Sequence, residues 1–353
     1  MIMAAGYHAI LAAGADARRD LFEATAQRIG TSAQNIEKDF WVCWTLDLLF
    51  NGITDGPRLL FKGGTSLSKG FALIERFSED IDVTVFRQDI GEPAEVAELA
   101  VLSGKKREAK LNAIREACQA YINGELRETL AELISGRLVA AGLTPDVARI
   151  EADPDDPDKQ TLLLWYPVTT EPTPYIRSAV KIESGAKSAL DPHQTHSIEP
   201  YVAGDAWQLD LTVPNITIVD PARTFWDKVV ILHGTRRWFE HRGELRGAGQ
   251  RVSRHYYDLY RLLDSSIGQQ ASGNLALAAD CIAHAAMFFN RKDFDLAEAK
   301  PGTFTLTPSE AMLPALRTDY RAMSGMIFGK APAFDDIMAA IARFEAKLNE
   351  AEK

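Results

Sequence analysis

Cysteine is scarce in this chain: among 353 residues only Cys43, Cys118 and Cys281 occur, scattered without pair or zinc spacing. A disulfide framework is therefore excluded, and reduced thiols in a cytoplasm are expected. Long apolar runs are missing too. No stretch reaches the roughly 18 uninterrupted apolar residues of a membrane span, and Trp41-Val42-Cys43-Trp44-Thr45-Leu46 is broken by Asp47. The start, Met1-Ile2-Met3-Ala4-Ala5-Gly6, has no cationic residue ahead of an apolar run and no cleavage pattern, so no secretory leader is read there. Positive charge is in deficit: a formal net charge of −10 argues against blanket attraction to nucleic acid. Internal repeats and low-complexity tracts are absent as well. A hydrophobic content of 46% supplies a substantial core for one large or two ordinary domains. A soluble cytoplasmic protein with no membrane partner is the expectation.

The run Phe61-Lys62-Gly63-Gly64-Thr65-Ser66 is the most informative feature present. Leu59-Leu60-Phe61 is a short apolar run, and Leu67, Phe71 and Ile74 follow at helical spacing, so the glycines stand at a strand-to-helix turn. Glycine there lets a phosphate approach the backbone, and the free N–H groups of a helix start favour an anion. Thr65 and Ser66 add hydroxyl donors.

Behind this turn, Asp80-Ile81-Asp82-Val83-Thr84-Val85 alternates with period two, so both aspartates project from one strand face. Two anions so close repel unless a cation lies between them, and hard oxygen ligands beside phosphates suit Mg²⁺ or Mn²⁺. Alone, a Gly-Gly before a helix is a tight turn and an Asp-x-Asp on a strand is a solvated face. Together in one strand–helix–strand unit they favour a nucleotide-and-metal site.

Three later stretches carry candidate chemistry. In Val180-Lys181-Ile182-Glu183 the polar residues share a strand face, and Glu183 offers a third carboxylate; the plain alternative is a cross-strand Lys–Glu surface. Asp220-Pro221 reads as an N-cap with proline at the first helical position. In the helix that follows, Lys228 lies beside the apolar stripe of Phe225, Val229 and Leu232, where it must snorkel or find an anion. Asp258 follows Arg254 by four residues, which by itself predicts an i,i+4 salt bridge.

With Gly63-Gly64-Thr65-Ser66-Leu67-Ser68-Lys69 and Arg76-Phe77-Ser78-Glu79-Asp80-Ile81-Asp82 in view, the chain closely resembles the AbiEii/AbiGii toxin family of the nucleotidyltransferase superfamily. Ile36-Glu37-Lys38-Asp39-Phe40-Trp41, Val180-Lys181-Ile182-Glu183, Arg223-Thr224-Phe225-Trp226-Asp227-Lys228, Arg254-His255-Tyr256-Tyr257-Asp258-Leu259 and Asp319-Tyr320 with Met323 and Met326 resemble further family blocks in order. The resemblance spans roughly residues 36 to 330.

It implies a metal-dependent nucleotidyltransferase, the toxin of a type IV toxin–antitoxin or phage-defence system. Such an enzyme would take a nucleoside triphosphate as donor and the 3′ end of tRNA as acceptor. Asp80, Asp82 and Glu183 would hold Mg²⁺ or Mn²⁺. Lys62, Gly63, Gly64, Thr65, Ser66, Lys181 and Lys228 would bind the nucleotide, and Asp258 would orient Lys228 or the acceptor hydroxyl. A cognate antitoxin encoded nearby is implied, without need of a stable complex. Where many relatives have an acid after the arginine this chain has His255, and its role stays open. Transfer to a protein or small molecule, and a silent nucleotide-binding module, remain alternatives.

Between His233 and His255 six arginines (Arg236, Arg237, Arg242, Arg246, Arg251, Arg254) face two acids, Glu240 and Glu244, an excess of four positive charges with Trp238 and Phe239 interleaved. This segment reads either as an RNA-backbone contact or as a solvated loop. Glu151, Asp153, Asp155, Asp156 and Asp158 with Pro154 and Pro157 read as an acidic loop, and His193 and His196 as part of a proline-containing loop that is no metal site. The expected fold is α+β: a nucleotidyltransferase-fold core with a mixed β-sheet, N-terminal helices to about Phe50, a helical insertion from Lys105 to Gly142, and a helical C-terminal region. Two domains are expected, 1–220 and 221–353, the second contributing to the active site. Ile216-Thr217-Ile218-Val219 would close the sheet, and a short extended piece would follow Pro301-Gly302-Thr303.

Overall fold

A computed structural model describes residues 5–172, 177–249 and 251–350; the Met1-Ile2-Met3-Ala4 start read above for a leader lies outside them. The chain divides into two compact units, one formed by Met1–Ala72, Phe77–Ala94 and Ser103–Val219, the other by Leu73–Arg76, Glu95–Leu102 and Asp220–Lys353. The sequence reading of two uninterrupted stretches had no place for the short segments 73–76 and 95–102, which are too brief to carry a periodic signal.

The first unit opens with helices α1 (Ala5–Ala12), α2 (Ala15–Ile29) and α3 (Ala33–Asp47), and α3 runs into a π-helical turn at Leu48–Gly52. Ser32 caps α3 by accepting from Asn35 N at 3.2 Å. Every residue from Gln34 to Asp47 is buried, charged ones included. Trp41 stacks on Tyr166 with ring centroids 5.4 Å apart. Each buried charge of α3 has a partner. Glu37 accepts from the N–H and hydroxyl groups of Thr169 and Thr170. Lys38 donates to Glu79 at 2.7 Å, Asp39 pairs with Lys69, and Asp47 pairs with Arg137 at 2.6 Å.

The sheet is built from β1 (Leu59–Lys62), β2 (Asp80–Val85), β3 (Arg149–Ala152), β4 (Thr161–Trp165), β5 (Ala179–Gly185), β6 (His193–Ile198) and β7 (Val213–Val219), with α4 (Gly63–Lys69) between β1 and β2. Their order is β3-β4-β5-β2-β1-β7-β6. β1 is antiparallel to β2 and parallel to β7, and β2 is parallel to β5, so the sheet is mixed as expected. Central strands covered on both faces read as unbroken apolar runs, as in Leu59-Leu60-Phe61 and Leu162-Leu163-Leu164.

Two segments read as loops are edge strands. His193 and His196 lie on β6, opposite Val219 and Ile216 of β7, so β7 is an inner strand and does not close the sheet. Glu151 lies on β3 opposite Leu163. The acids after it shape a turn, with Asp156 accepting from Thr161 Oγ1 at 2.7 Å and from Gln160 N at 2.9 Å. Polar edge strands lack the apolar alternation that marks a half-buried strand, which is why neither was legible.

After α5 (Val96–Ala100), which belongs to the second unit, the insertion forms α6 (Gly104–Tyr121) and α7 (Arg127–Ala140), joined through a π-helical turn at Ile122–Leu126. The second unit continues with α8 (Pro221–Arg242), α9 (Ser253–Asp264), α10 (Ser266–Ser272), α11 (Leu275–Phe288), α12 (Leu313–Ser324) and α13 (Phe334–Glu350). Asp220 caps α8 by accepting from Ala222 N at 2.8 Å, with Pro221 behind it. Among the described residues no strand follows Pro301-Gly302-Thr303, where a short extended piece was expected. Side chains of α13 satisfy that backbone instead: Asn349 Oδ1 accepts from Phe304 N at 2.9 Å and Glu345 Oε2 from Thr307 N at 2.6 Å. No described helix is long and apolar enough to cross a membrane.

Lys38 and Glu79 are both buried, so removing one partner strands a charge out of water. Lys38→Ala is expected to cost about 3–5 kcal/mol in urea denaturation, and Lys38→Ala with Glu79→Ala clearly less than the sum of the single changes.

Candidate active site

The β1–α4 turn is shaped by Gly63, whose φ of +82° is a conformation that side chains rarely adopt. A Cβ there would lie 2.1 Å from Asp82 Oδ2, so glycine is also what lets the carboxylate approach the turn. Lys62 is paired in register with Asp82, and its Nζ is 4.0 Å from Asp82 Oδ1. Lys62, Gly63 and Gly64 are half-buried, whereas Thr65 and Ser66 are buried. Thr65 Oγ1 is 2.5 Å from Asp80 O and 2.9 Å from Ser78 Oγ, and Ser66 Oγ donates to Gly63 O at 2.9 Å. Both hydroxyls, read from sequence as phosphate donors, are therefore engaged within the fold: Thr65 ties the turn to the start of β2, and Ser66 closes the turn on itself. What the turn leaves reachable is its glycine backbone.

Asp80 and Asp82 are half-buried on one face of β2, with Ile81 and Val83 buried on the other. Parallel pairing sets Asp80 beside Lys181 and Asp82 beside Glu183, which brings the three candidate carboxylates onto adjacent strands. Lys181 Nζ bonds Glu183 Oε1 at 2.6 Å along the same strand rather than across strands. Burial, then the charges of Glu79 and Glu183, push Asp80 up from 3.8 to about 6, with Asp82 adding and Lys38 opposing. Burial opposes the charged form of Lys181, but its hydrogen bond to Glu183 and the charges of Glu183, Asp80 and Asp153 raise it. Among the described residues no group of three or more His, Cys, Asp or Glu side chains is set to enclose a metal ion. The donor set that fits a cation is thus Asp80 with Asp82, because Mg²⁺ takes one or two carboxylates and completes its shell with water and substrate phosphates. Glu183 would have to leave Lys181 to join them.

In the second unit, Lys228 is buried on α8 and Asp258 on α9. Lys228 Nζ donates to Asp258 Oδ2 at 2.7 Å. Arg76 from segment 73–76 donates to the same carboxylate, Nε to Oδ1 at 2.7 Å and Nη2 to Oδ2 at 2.8 Å. Burial works against ionising Asp258, but Arg76 and then Lys228 outweigh it and hold the carboxyl well below the usual range. Burial lowers Lys228, with Arg76 and Arg254 adding and Asp258 opposing. The i,i+4 Arg254–Asp258 pair expected from spacing is replaced by Arg76, the residue that sequence reading quoted in a motif without giving it a role. No spacing rule joins positions 182 residues apart. His255 is driven well below its ordinary value, first by burial and then by Lys228 and Arg254, so it is uncharged near neutrality; its buried Nδ1 has no hydrogen-bond partner among the described residues. Asp319 of α12 accepts from Ser253 N at 2.7 Å and holds the start of α9, the helix that carries Asp258.

The arginine-rich segment is less basic in space than in sequence. α8 extends through Arg242, Arg236 and Arg237 both pair with Glu240, Arg242 pairs with Asp293 at 2.5 Å, and His241 with Asp295 at 2.8 Å. Trp238 packs on Phe294 and under Arg242. Two acids distant in sequence thus offset part of the local excess.

A carboxyl at about 6 in the folded chain and 3.8 when unfolded stabilises through its protonated form, so its contribution is complete below the lower value and gone above the higher. In metal-free buffer at about pH 7.5, Asp80→Asn is therefore expected to stabilise the fold by about 1–2 kcal/mol after screening by water, read as a higher melting temperature. The advantage should vanish below about pH 4.

A sequence model of the family described as "Nucleotidyl transferase AbiEii toxin, Type IV TA system" matches residues 47–348, well over half of the chain. No curated protein matches the sequence. Among solved structures the chain is similar to MenT4, a nucleotidyltransferase toxin from Mycobacterium tuberculosis H37Rv, at 17% identity and a TM-score of 0.44, covering 94% of this chain and 97% of that one. With the glycine turn, both aspartates, Glu183, Lys228 and Asp258 all inside the matched span, the chain belongs to the AbiEii family of nucleotidyltransferase toxins of type IV toxin–antitoxin systems.

Proposed function

We propose that this toxin transfers a nucleotide from a nucleoside triphosphate to the 3′ end of tRNA, in a reaction that depends on a divalent cation. The observation that carries the chemistry is the set of Asp80, Asp82 and Glu183 on adjacent strands beside the Gly63 turn. Asp80 and Asp82 hold the cation, and Glu183, once parted from Lys181, completes its shell or accepts the proton of the acceptor hydroxyl. When bound, Mg²⁺ or Mn²⁺ supplies charge neutralisation at the donor phosphates and acidifies the attacking hydroxyl. The half-buried Gly63-Gly64 backbone lets the triphosphate approach, with Lys62 and Lys181 beside it. Lys228 neutralises the triphosphate, and Asp258 fixes Lys228. Pyrophosphate leaves in line with the incoming oxygen. A cognate antitoxin relieves the toxicity without a stable complex.

A non-RNA acceptor is the second reading, favoured by one observation: Asp293, Asp295 and Glu240 pair with the arginine-rich segment that was the sequence's sign of RNA.

Cation binding displaces the proton that Asp80 retains near pH 6. Millimolar Mg²⁺ is therefore expected to raise the melting temperature at about pH 8, to do so much less at about pH 5, and not at all in Asp80→Ala with Asp82→Ala. Incubation with Mg²⁺, total bacterial tRNA and each α-³²P nucleoside triphosphate in turn is expected to label tRNA with one nucleotide, and Asp80→Ala to abolish the label. Label on a protein or small molecule in lysate instead would keep the chemistry and move the acceptor; no label anywhere would sink the transferase reading of this chain.

A further inference from the structure

Arg76 is buried, and its stretch of backbone is tied down within the second unit. It forms a bridge with Ile327, Phe328 N donates to Glu75 O at 2.9 Å, and Arg261 reaches the Glu75 carboxylate at 3.0 Å. From this anchored segment the guanidinium engages both oxygens of Asp258, the planar fork that arginine makes and lysine does not. The same carboxylate also receives Lys228 Nζ.

A buried Lys–Asp pair alone would neutralise itself, leaving the ammonium little pull on a phosphate. Here one carboxylate is divided between two cations, so the trio carries one positive charge in surplus. Arg254 adds to it, and His255, uncharged near neutrality, does not. A buried surplus charge calls for an anion, and the donor's triphosphate is the anion that the reaction brings.

We propose that Arg76 is a positioning residue for nucleotidyl transfer: it clamps Asp258 and takes up part of its charge, so that Lys228 is held in place without being neutralised and binds the triphosphate. This rests on the reading of Lys228 as a triphosphate-binding cation. The titratable groups that bear most on Lys228 include Asp258, Arg254 and His255 from α9 and Arg76 from segment 73–76. Arg76 and Arg254 favour loss of the Lys228 proton and Asp258 opposes it, so removing Arg76 should make the ammonium persist to higher pH.

The test is calorimetric titration of the full chain with a non-hydrolysable Mg²⁺-nucleoside triphosphate analogue from about pH 7 to 10, each variant first checked for a cooperative melt. Wild-type affinity is expected to fall as pH rises through the lowered Lys228 value. Arg76→Gln should weaken binding at about pH 7.5 by about tenfold, and move the alkaline fall to higher pH. Adding Asp258→Asn to Arg76→Gln should restore affinity, because Lys228 is then no longer neutralised. Arg76→Gln binding like the wild type overturns the proposal. So does an unmoved alkaline limb together with a double variant that binds no better than Arg76→Gln, the pattern of a merely structural role. Where Arg76→Gln does not melt cooperatively, Arg76→Lys carries the test: it keeps the charge and loses the fork, so binding should weaken with the alkaline limb in place, and unchanged affinity overturns the proposal. If the wild type binds no nucleotide at all, the nucleotide reading of the site fails and this proposal with it, an outcome distinct from those above.

Discussion

The first unit depends on one constraint: α3 is buried along almost its whole length while carrying four charged residues, and each must find a partner. An isolated ion in a protein interior costs several kcal/mol, so Glu37, Lys38, Asp39 and Asp47 can lie there only if four other parts of the chain come to meet them. They meet the 169–170 segment, Glu79, Lys69 and Arg137. Two of those contacts reach the candidate site directly, since Glu79 precedes Asp80 at the start of β2 and Lys69 ends the helix that begins at Gly63. The turn and the carboxylate strand are thus held by the buried charges of α3.

Glu79 does more than anchor. As a buried anion next to Asp80 it adds to the burial and to Glu183 in raising that carboxyl toward neutrality. The strand therefore carries electrostatic repulsion that a bound cation would relieve and that costs stability without one. The second unit uses the same rule with the opposite sign. Asp258 pairs with two buried cations at once, and the imbalance leaves the three with one positive charge in surplus.

Much of the site was legible because its chemistry is local. Gly63-Gly64 at the strand-to-helix turn, the two-residue alternation of Asp80-Ile81-Asp82, the Asp220-Pro221 cap and the stripe around Lys228 all follow from rules spanning a few residues and appear where those rules put them, although α4 stops at Lys69 and does not carry the expected stripe on to Phe71 and Ile74. Two polar edge strands were not legible, because β3 and β6 owe their state to the neighbours β4 and β7 and not to their own pattern. The hydroxyls of Thr65 and Ser66 point inward because β2 and the turn itself offer nearer acceptors than any ligand. Asp293 and Asp295 altered the charge of a segment fifty residues earlier by folding against it.

By itself, then, the sequence determined the secondary-structure pattern of the core, the family and the residue types of the candidate nucleotide-and-metal site, since periodicity, capping and short motifs are properties of neighbours along the chain. The tertiary structure alone decided that Glu183 comes beside Asp82, that Glu79 stands behind Asp80, and that Arg76 rather than Arg254 takes Asp258. Strand order and charge pairing are set by which surfaces bury one another, and burial is what turns a distant residue into the nearest partner.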